Sequence, residues 1–165
     1  MSKVSNLTIR KAIKSDSDKI HQLLMDLAAF EKIEHTVEAT NESTQLALFG
    51  ESPSAEAIVA ELDNQIVGAA VFFHNYSTFI GKEGLYLEDI YVRPEYRGQK
   101  IGRKILFHLA KIAEQRKCGR MEWTVLDWNT RAIDFYKEMG AEILEEWKIV
   151  RLCSEGIEKL SNKEQ

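Results

Sequence analysis

Ile20, Leu23, Leu24 and Leu27 fall at i, i+3, i+4 and i+7, the apolar stripe of a helix running to about Lys32. Ser15, with Asp18 three residues on, has the form of a capping box that would start it. Residues 7–12 ahead of it read as a short strand, and residues 41–49 as a second helix stopped by Gly50. Two strand-like runs, 57–62 and 66–74, are separated by Asp63-Asn64-Gln65, a hairpin signal. A further strand is predicted over 85–92, ended by Pro94. Strict alternation there puts Tyr86, Glu88, Ile90 and Val92 on one face and Leu85, Leu87, Asp89 and Tyr91 on the other. Residues 100–115 carry a helical stripe of Ile101, Ile105, Leu109 and Ile112, and 121–126 read as a strand. Asn129 suits the cap of a helix over 130–139 closed by Gly140, and 142–152 is expected to form a final strand. The order of these elements is that of a mixed α/β domain around one sheet.

Composition narrows the partners. The chain has 165 residues, one domain's length, with 44% hydrophobic and 29% charged residues, as in an ordinary soluble protein. Its formal charge of −4 is too small to argue for a nucleic-acid footprint or an anionic membrane surface, so neither partner is expected. No stretch is long and apolar enough to span a bilayer, and residues 1–10 lack the apolar core of a signal peptide. Cys118 and Cys153 have no metal-ligand spacing, and His21, His35, His74 and His108 are scattered. A cytoplasmic protein without a metal is expected.

The chemistry concentrates first between Arg93 and Gly102. This segment joins a strand to a helix, whose first N–H groups suit a pyrophosphate. Gly98 and Gly102 permit close approach of a ligand, and Arg97 adds a cation. By itself, the pattern also fits a plain glycine-bearing turn. Its sequence, however, resembles the pyrophosphate loop of the GNAT acetyltransferase superfamily, Arg/Gln-x-x-Gly-x-Gly/Ala. Arg97, Ile101 and Gly102 match, while Lys100 replaces the middle glycine and brings an ammonium that suits phosphate. A second superfamily pattern lies in Asn129-Thr-Arg-Ala132-Ile-Asp-Phe-Tyr136-Lys-Glu-Met-Gly140. Leu85-Tyr-Leu-Glu-Asp-Ile-Tyr-Val92, Pro94-Glu-Tyr-Arg-Gly98, Val125-Leu-Asp-Trp-Asn129 and Leu27-Ala-Ala-Phe-Glu-Lys32 look like segments of spermidine/spermine acetyltransferases, most of all the thialysine acetyltransferase branch.

The resemblance implies one GNAT-like α/β domain over residues 1–165 with a core at about 7–152. Its mixed, mostly antiparallel central sheet would be flanked by helices on both faces. It also implies acetyl-CoA as co-substrate, a homodimer, and N-acetyl transfer to the primary amine of a thialysine-like amino acid, diamine or polyamine. Glu88 would be the base and Tyr136 the acid for the leaving thiolate. Backbone groups of Ile90, Tyr91 and Val92 would meet the cofactor, together with Arg97, Gly98, Gln99, Lys100, Ile101, Gly102 and Arg103. Asn129, Ala132 and Tyr136 would complete the cofactor contacts. Phe30, Glu31, Glu88, Asp89, Glu122, Trp123 and Thr124 would face the amine. From the residues alone, Glu88 set in an apolar strand is unusual, because burying a carboxylate without a partner is costly; the alternative is a glutamate facing solvent. Tyr136 also fits a core position, and Asp89 a packing or dimer contact. Two other activities stay open: acetylation of a protein or peptide amine, and acyl-CoA binding without catalysis.

Overall fold

Five strands lie side by side in chain order: β1 (Leu7–Lys11), β2 (Glu56–Leu62), β3 (Gln65–Ser77), β4 (Lys82–Val92) and β5 (Arg120–Glu122). All neighbours are antiparallel except β4 and β5, which run parallel. The β2–β3 hairpin turns on Asp63 and Asn64, both at positive φ (48° and 66°), as a two-residue turn that continues the strand twist requires. Residues 6–163 of this computed structural model are described here. The chain divides into two compact units, Met1–Thr124 and Val125–Gln165, and the first holds the whole sheet.

In the first unit the sheet is covered on both faces. On one side α1 (Ser17–Phe30) and α2 (Asn41–Phe49) bury Ile20, Leu23 and Leu48 against Ala57, Val59, Ala69, Val71 and Tyr91. The intervening β2 residues, Ile58 and Ala60, are equally buried and so point to the other side. There α3 (Ile101–Gln115) lays down Ile101, Ile105, Leu106 and Leu109, and a Cβ at Gly68 would meet Ile105 Cδ1 at 3.5 Å. This is an α/β fold with a mixed, mostly antiparallel sheet flanked by helices. Among the described residues, no helix is long and apolar enough to cross a membrane, and no group of three or more His, Cys, Asp or Glu could hold a metal.

Three expectations change. The first helix does not start on a Ser15 capping box. A short 3₁₀ turn over Lys14–Asp16 precedes it, and Asp16 accepts the Ile13 N–H at 2.8 Å while pairing with Arg10 at 2.7 Å. Ser15 is thereby taken into the turn, and Asp16 stands at the N-cap position of the helix. β5 spans Arg120–Glu122 rather than 121–126. The final strand over 142–152 is absent. That segment is irregular and mostly exposed, with a turn that closes from the Trp147 N–H to the Leu144 carbonyl at 3.2 Å. Its apolar residues come in adjacent pairs, Ile143-Leu144 and Ile149-Val150, so no period-two face forms that a ladder could bury. Beyond it Ser154–Ser161 forms a short helix that the sequence pattern did not announce.

Candidate active site

The site is built on an irregularity in β4. Val71 of β3 faces Asp89, but its neighbour Phe72 faces Leu87, which leaves Glu88 as one extra residue. This is a β-bulge, and it shifts the phase of the strand. Before the bulge Leu85 and Leu87 face α3. After it Val92, opposite Gly68, faces α3, while Asp89 and Tyr91 lie opposite Val71 and Ala69 on the α1 side. Leu87 and Asp89 are therefore on opposite faces, where strict alternation had put them together. Of the two readings of Glu88, the structure takes the one facing solvent: it is exposed. The bulge takes it out of the ladder, so its charge keeps its water.

Asp89 carries the electrostatic signature of the site. Burial raises its pKa from 3.8 to about 6, with the charges of Glu88 and Glu31 adding to the shift. Glu31, the C-cap of α1, is itself raised by burial. The structure thus brings together Glu31, Glu88 and Asp89, whose unbalanced charge favours a cation. Phe30 stands next to Glu31 and is 39% exposed. Glu122 is engaged separately: its carboxylate lies 3.0 Å from Arg120 Nε and accepts the Asn75 side-chain N–H at 3.3 Å. Of the two residues that follow, Trp123 is half-buried and Thr124 exposed.

The same strand leads to a loop whose backbone suits an anion. β5 pairs with β4 only at Gly84–Tyr86, so among the described residues no strand flanks that edge of β4 from Leu87 to Val92. Backbone groups of Ile90, Tyr91 and Val92 lie along this stretch. Gly98 follows at φ 80°, where a Cβ would meet nothing within 4 Å, so the loop is open there. Lys100 is the N-cap of α3 in the left-handed region, at φ 62° and ψ 18°. The first helical bond runs from the Lys104 N–H to the Lys100 carbonyl, which leaves the N–H groups of Ile101, Gly102 and Arg103 outside the helical ladder. With Gln99 beside them, these groups and the helix dipole fit a pyrophosphate. Arg97 does more than offer charge. Its Nε–H donates to the Val92 carbonyl at 2.9 Å, and its guanidinium lies 5.1 Å from the Phe30 ring and 5.3 Å from the Tyr91 ring.

In the second unit, Asn129 accepts the Ala132 N–H at 3.3 Å and caps a helix over Thr130–Glu138, α4, as its sequence suggested. Tyr136 is buried on this helix, 5.5 Å from the ring of Phe135. Its carbonyl accepts the N–H groups of Met139 and Ala141, with Gly140 at φ 89° making the exit turn.

The sequence profile of the Acetyltransferase (GNAT) family matches residues 18–141. The chain belongs to the GNAT acetyltransferase family. It is 39% identical to a thialysine N-epsilon-acetyltransferase of Bos taurus, over 94% of this chain and 97% of that protein. The corresponding Mus musculus enzyme is 36% identical, covering 97% and 100%. An L-ornithine N5-acetyltransferase of Arabidopsis thaliana is 30% identical over 92% and 86%. Among solved structures, an integron cassette protein from the V. cholerae mobile metagenome superposes with a TM-score of 0.79 at 24% identity, over 94% of this chain and 98% of that one. An aminoglycoside N-acetyltransferase in complex with CoA gives 0.74 at 16%, over 92% and 97%. These two show that the fold is shared. GNAT acetyltransferases use acetyl-CoA. The bulge and the Arg97 clamp are the features that reading the motifs missed. A signal for the bulge exists in the apolar positions 85, 87, 90 and 92, which slip from odd to even at Glu88.

Proposed function

We propose that this GNAT enzyme acetylates a primary amine on a small molecule, with a thialysine-like amino acid ahead of diamines and polyamines. The observation that carries this reading is the gathering of Glu31, Glu88 and Asp89 at the β4 bulge, on the strand that leads into the loop before α3. The activities named for the bovine and mouse relatives support the choice of substrate. Acetyl-CoA supplies an acyl group activated as a thioester. The residues of this chain handle charge and protons around it.

A primary amine arrives as an ammonium, with a pKa near 10.4 in water. Half-buried Asp89 and Glu31 hold that cation, and exposed Glu88, which reaches water, accepts the proton. The N–H groups at the start of α3 that lie outside the helical ladder, with Lys100, hold the phosphates. Backbone groups of Ile90 to Val92 pair along the pantetheine amides. Tyr136 donates the proton that the leaving thiolate takes, since phenol and thiol pKa values of about 10 and 8.5 lie close enough for useful transfer. The family match runs across the boundary between the two units, which supports reading the chain as one N-acetyltransferase domain. We also propose a cytoplasmic location, where an exposed thiol such as Cys153 stays reduced, and a homodimer. The proposal is tested by mixing the protein with acetyl-CoA and thialysine. One free thiol should appear per ε-N-acetylated product by mass spectrometry. Acetyl-CoA binding without thiol release for any amine would leave only an acyl-CoA-binding module.

A further inference from the structure

Arg97 touches three segments of different purpose. It belongs to the loop that precedes α3, and its Nε–H is bound to the Val92 carbonyl at the end of β4. Its guanidinium lies over the ring of Tyr91 in β4 and over that of Phe30, the last residue of α1. A guanidinium suits this place because it is planar and weakly hydrated, and so stacks on an aromatic face where an ammonium would keep its water. Phe30 is 39% exposed, so burial alone does not fix its ring. Glu31, part of the acidic group, follows directly in the chain.

We propose that Arg97 is a positioning residue that couples the cofactor loop to the amine end of the site through Phe30. The inference rests on the acetyltransferase reading above and adds a regulation to it. Filling the loop orders the backbone around Arg97. The ordered guanidinium fixes Phe30, and Phe30 sets where the Glu31 carboxylate stands. Coupling of this kind is reciprocal: whatever tightening the cofactor gives the amine, the amine gives the cofactor.

The reciprocity supplies an assay without turnover. CoA, which has no acetyl group to give, is titrated calorimetrically into the full-length protein with and without saturating thialysine. Wild type should bind CoA about fivefold more tightly with thialysine present, at the low end of ordinary coupling. Phe30→Leu and Arg97→Lys should each abolish that gain, and the double variant should lose no more than either single one. Phe30→Tyr keeps the ring and should keep the gain. Unchanged melting curves will show that the variants fold. Coupling that persists in Phe30→Leu, or a wild type in which thialysine leaves CoA affinity unchanged, overturns the inference. Failure of the enzymatic reading is seen separately, as absence of thiol release from acetyl-CoA. In that event CoA affinity alone decides: Phe30→Leu should weaken it at least threefold and Phe30→Tyr restore it, and equal affinities in all three proteins would end the proposal.

Discussion

At the scale of single residues, Asp89 and Glu88 divide two tasks by their exposure. Asp89 is raised to about 6 chiefly by burial, so folding favours its neutral form. The stability it contributes is present in full below about pH 4, the unfolded value, and is lost as pH rises through about 6. Asp89→Asn should therefore leave stability at pH 4 unchanged and raise it at pH 8. Its ceiling is about 3 kcal/mol, the cost of holding a carboxyl of 3.8 at about 6. Urea unfolding at the two pH values checks this, and an equal gain at both would mean the carboxyl is not strained by its charge. Glu88 stands in water and, in the proposed function, accepts the proton of the amine. Glu88→Gln should lose most activity near neutral pH and recover part of it as pH rises, because a more basic solution deprotonates the amine without help. A pH–rate profile depressed equally at every pH would make Glu88 a binding group rather than the base.

At the scale of elements, what the sequence shows depends on whether the cause is local. The α1 stripe and the 63–65 turn follow from neighbouring residues and were legible. So was the Asn129 cap, where one side chain meets one N–H. The bulge was legible only as a slip in apolar phase, and strict alternation concealed it. The strand expected over 142–152 failed because a strand exists through a partner, and sequence hydrophobicity does not name one. The Arg97 clamp brings Phe30 of α1 to β4 and the loop, which are far from it in sequence, so no spacing could reveal that contact. Lys100 sits between these cases: the family pattern has glycine there, and φ 62° gives the reason. A left-handed conformation costs a side-chain-bearing residue about 1–2 kcal/mol, and glycine far less. Lys100→Gly should gain up to about 1 kcal/mol of stability after glycine's greater entropy in the unfolded chain is counted. It should also lose acetyl-CoA affinity at low salt, with the loss shrinking as salt screens the phosphate contact. Denaturation and calorimetry measure the two effects, and affinity equal to or above wild type would remove the ammonium from the phosphate site.

At the scale of the whole molecule, both units leave apolar side chains exposed, and in the first these include Tyr76, Phe79 and Ile80 around the β3–β4 turn. The first also buries others on both faces of its sheet. In the second, Trp147, Ile149, Val150 and Leu152 are exposed, Val150 to 95%. Apolar side chains gathered along one exposed segment mark an interaction surface more often than chance placement. This supports the proposed homodimer: sedimentation should give a dimer, and Ile149→Asp with Val150→Asp a monomer, whereas a monomeric wild type would contradict it. The central claim is narrower and concerns the acyl acceptor. The proposed function takes Glu31, Glu88 and Asp89 as charge for a cation on a short chain, and the bovine, mouse and Arabidopsis relatives are named for amino acids that carry a side-chain amine. The most direct measurement is kcat/KM for acetyl transfer to thialysine, lysine, putrescine, spermidine and a lysine-bearing peptide. Thialysine should lead the free amines, and all of the free amines together should include substrates better than the peptide. A peptide preferred over every free amine by tenfold, about 1.4 kcal/mol in transition-state binding, would contradict the account.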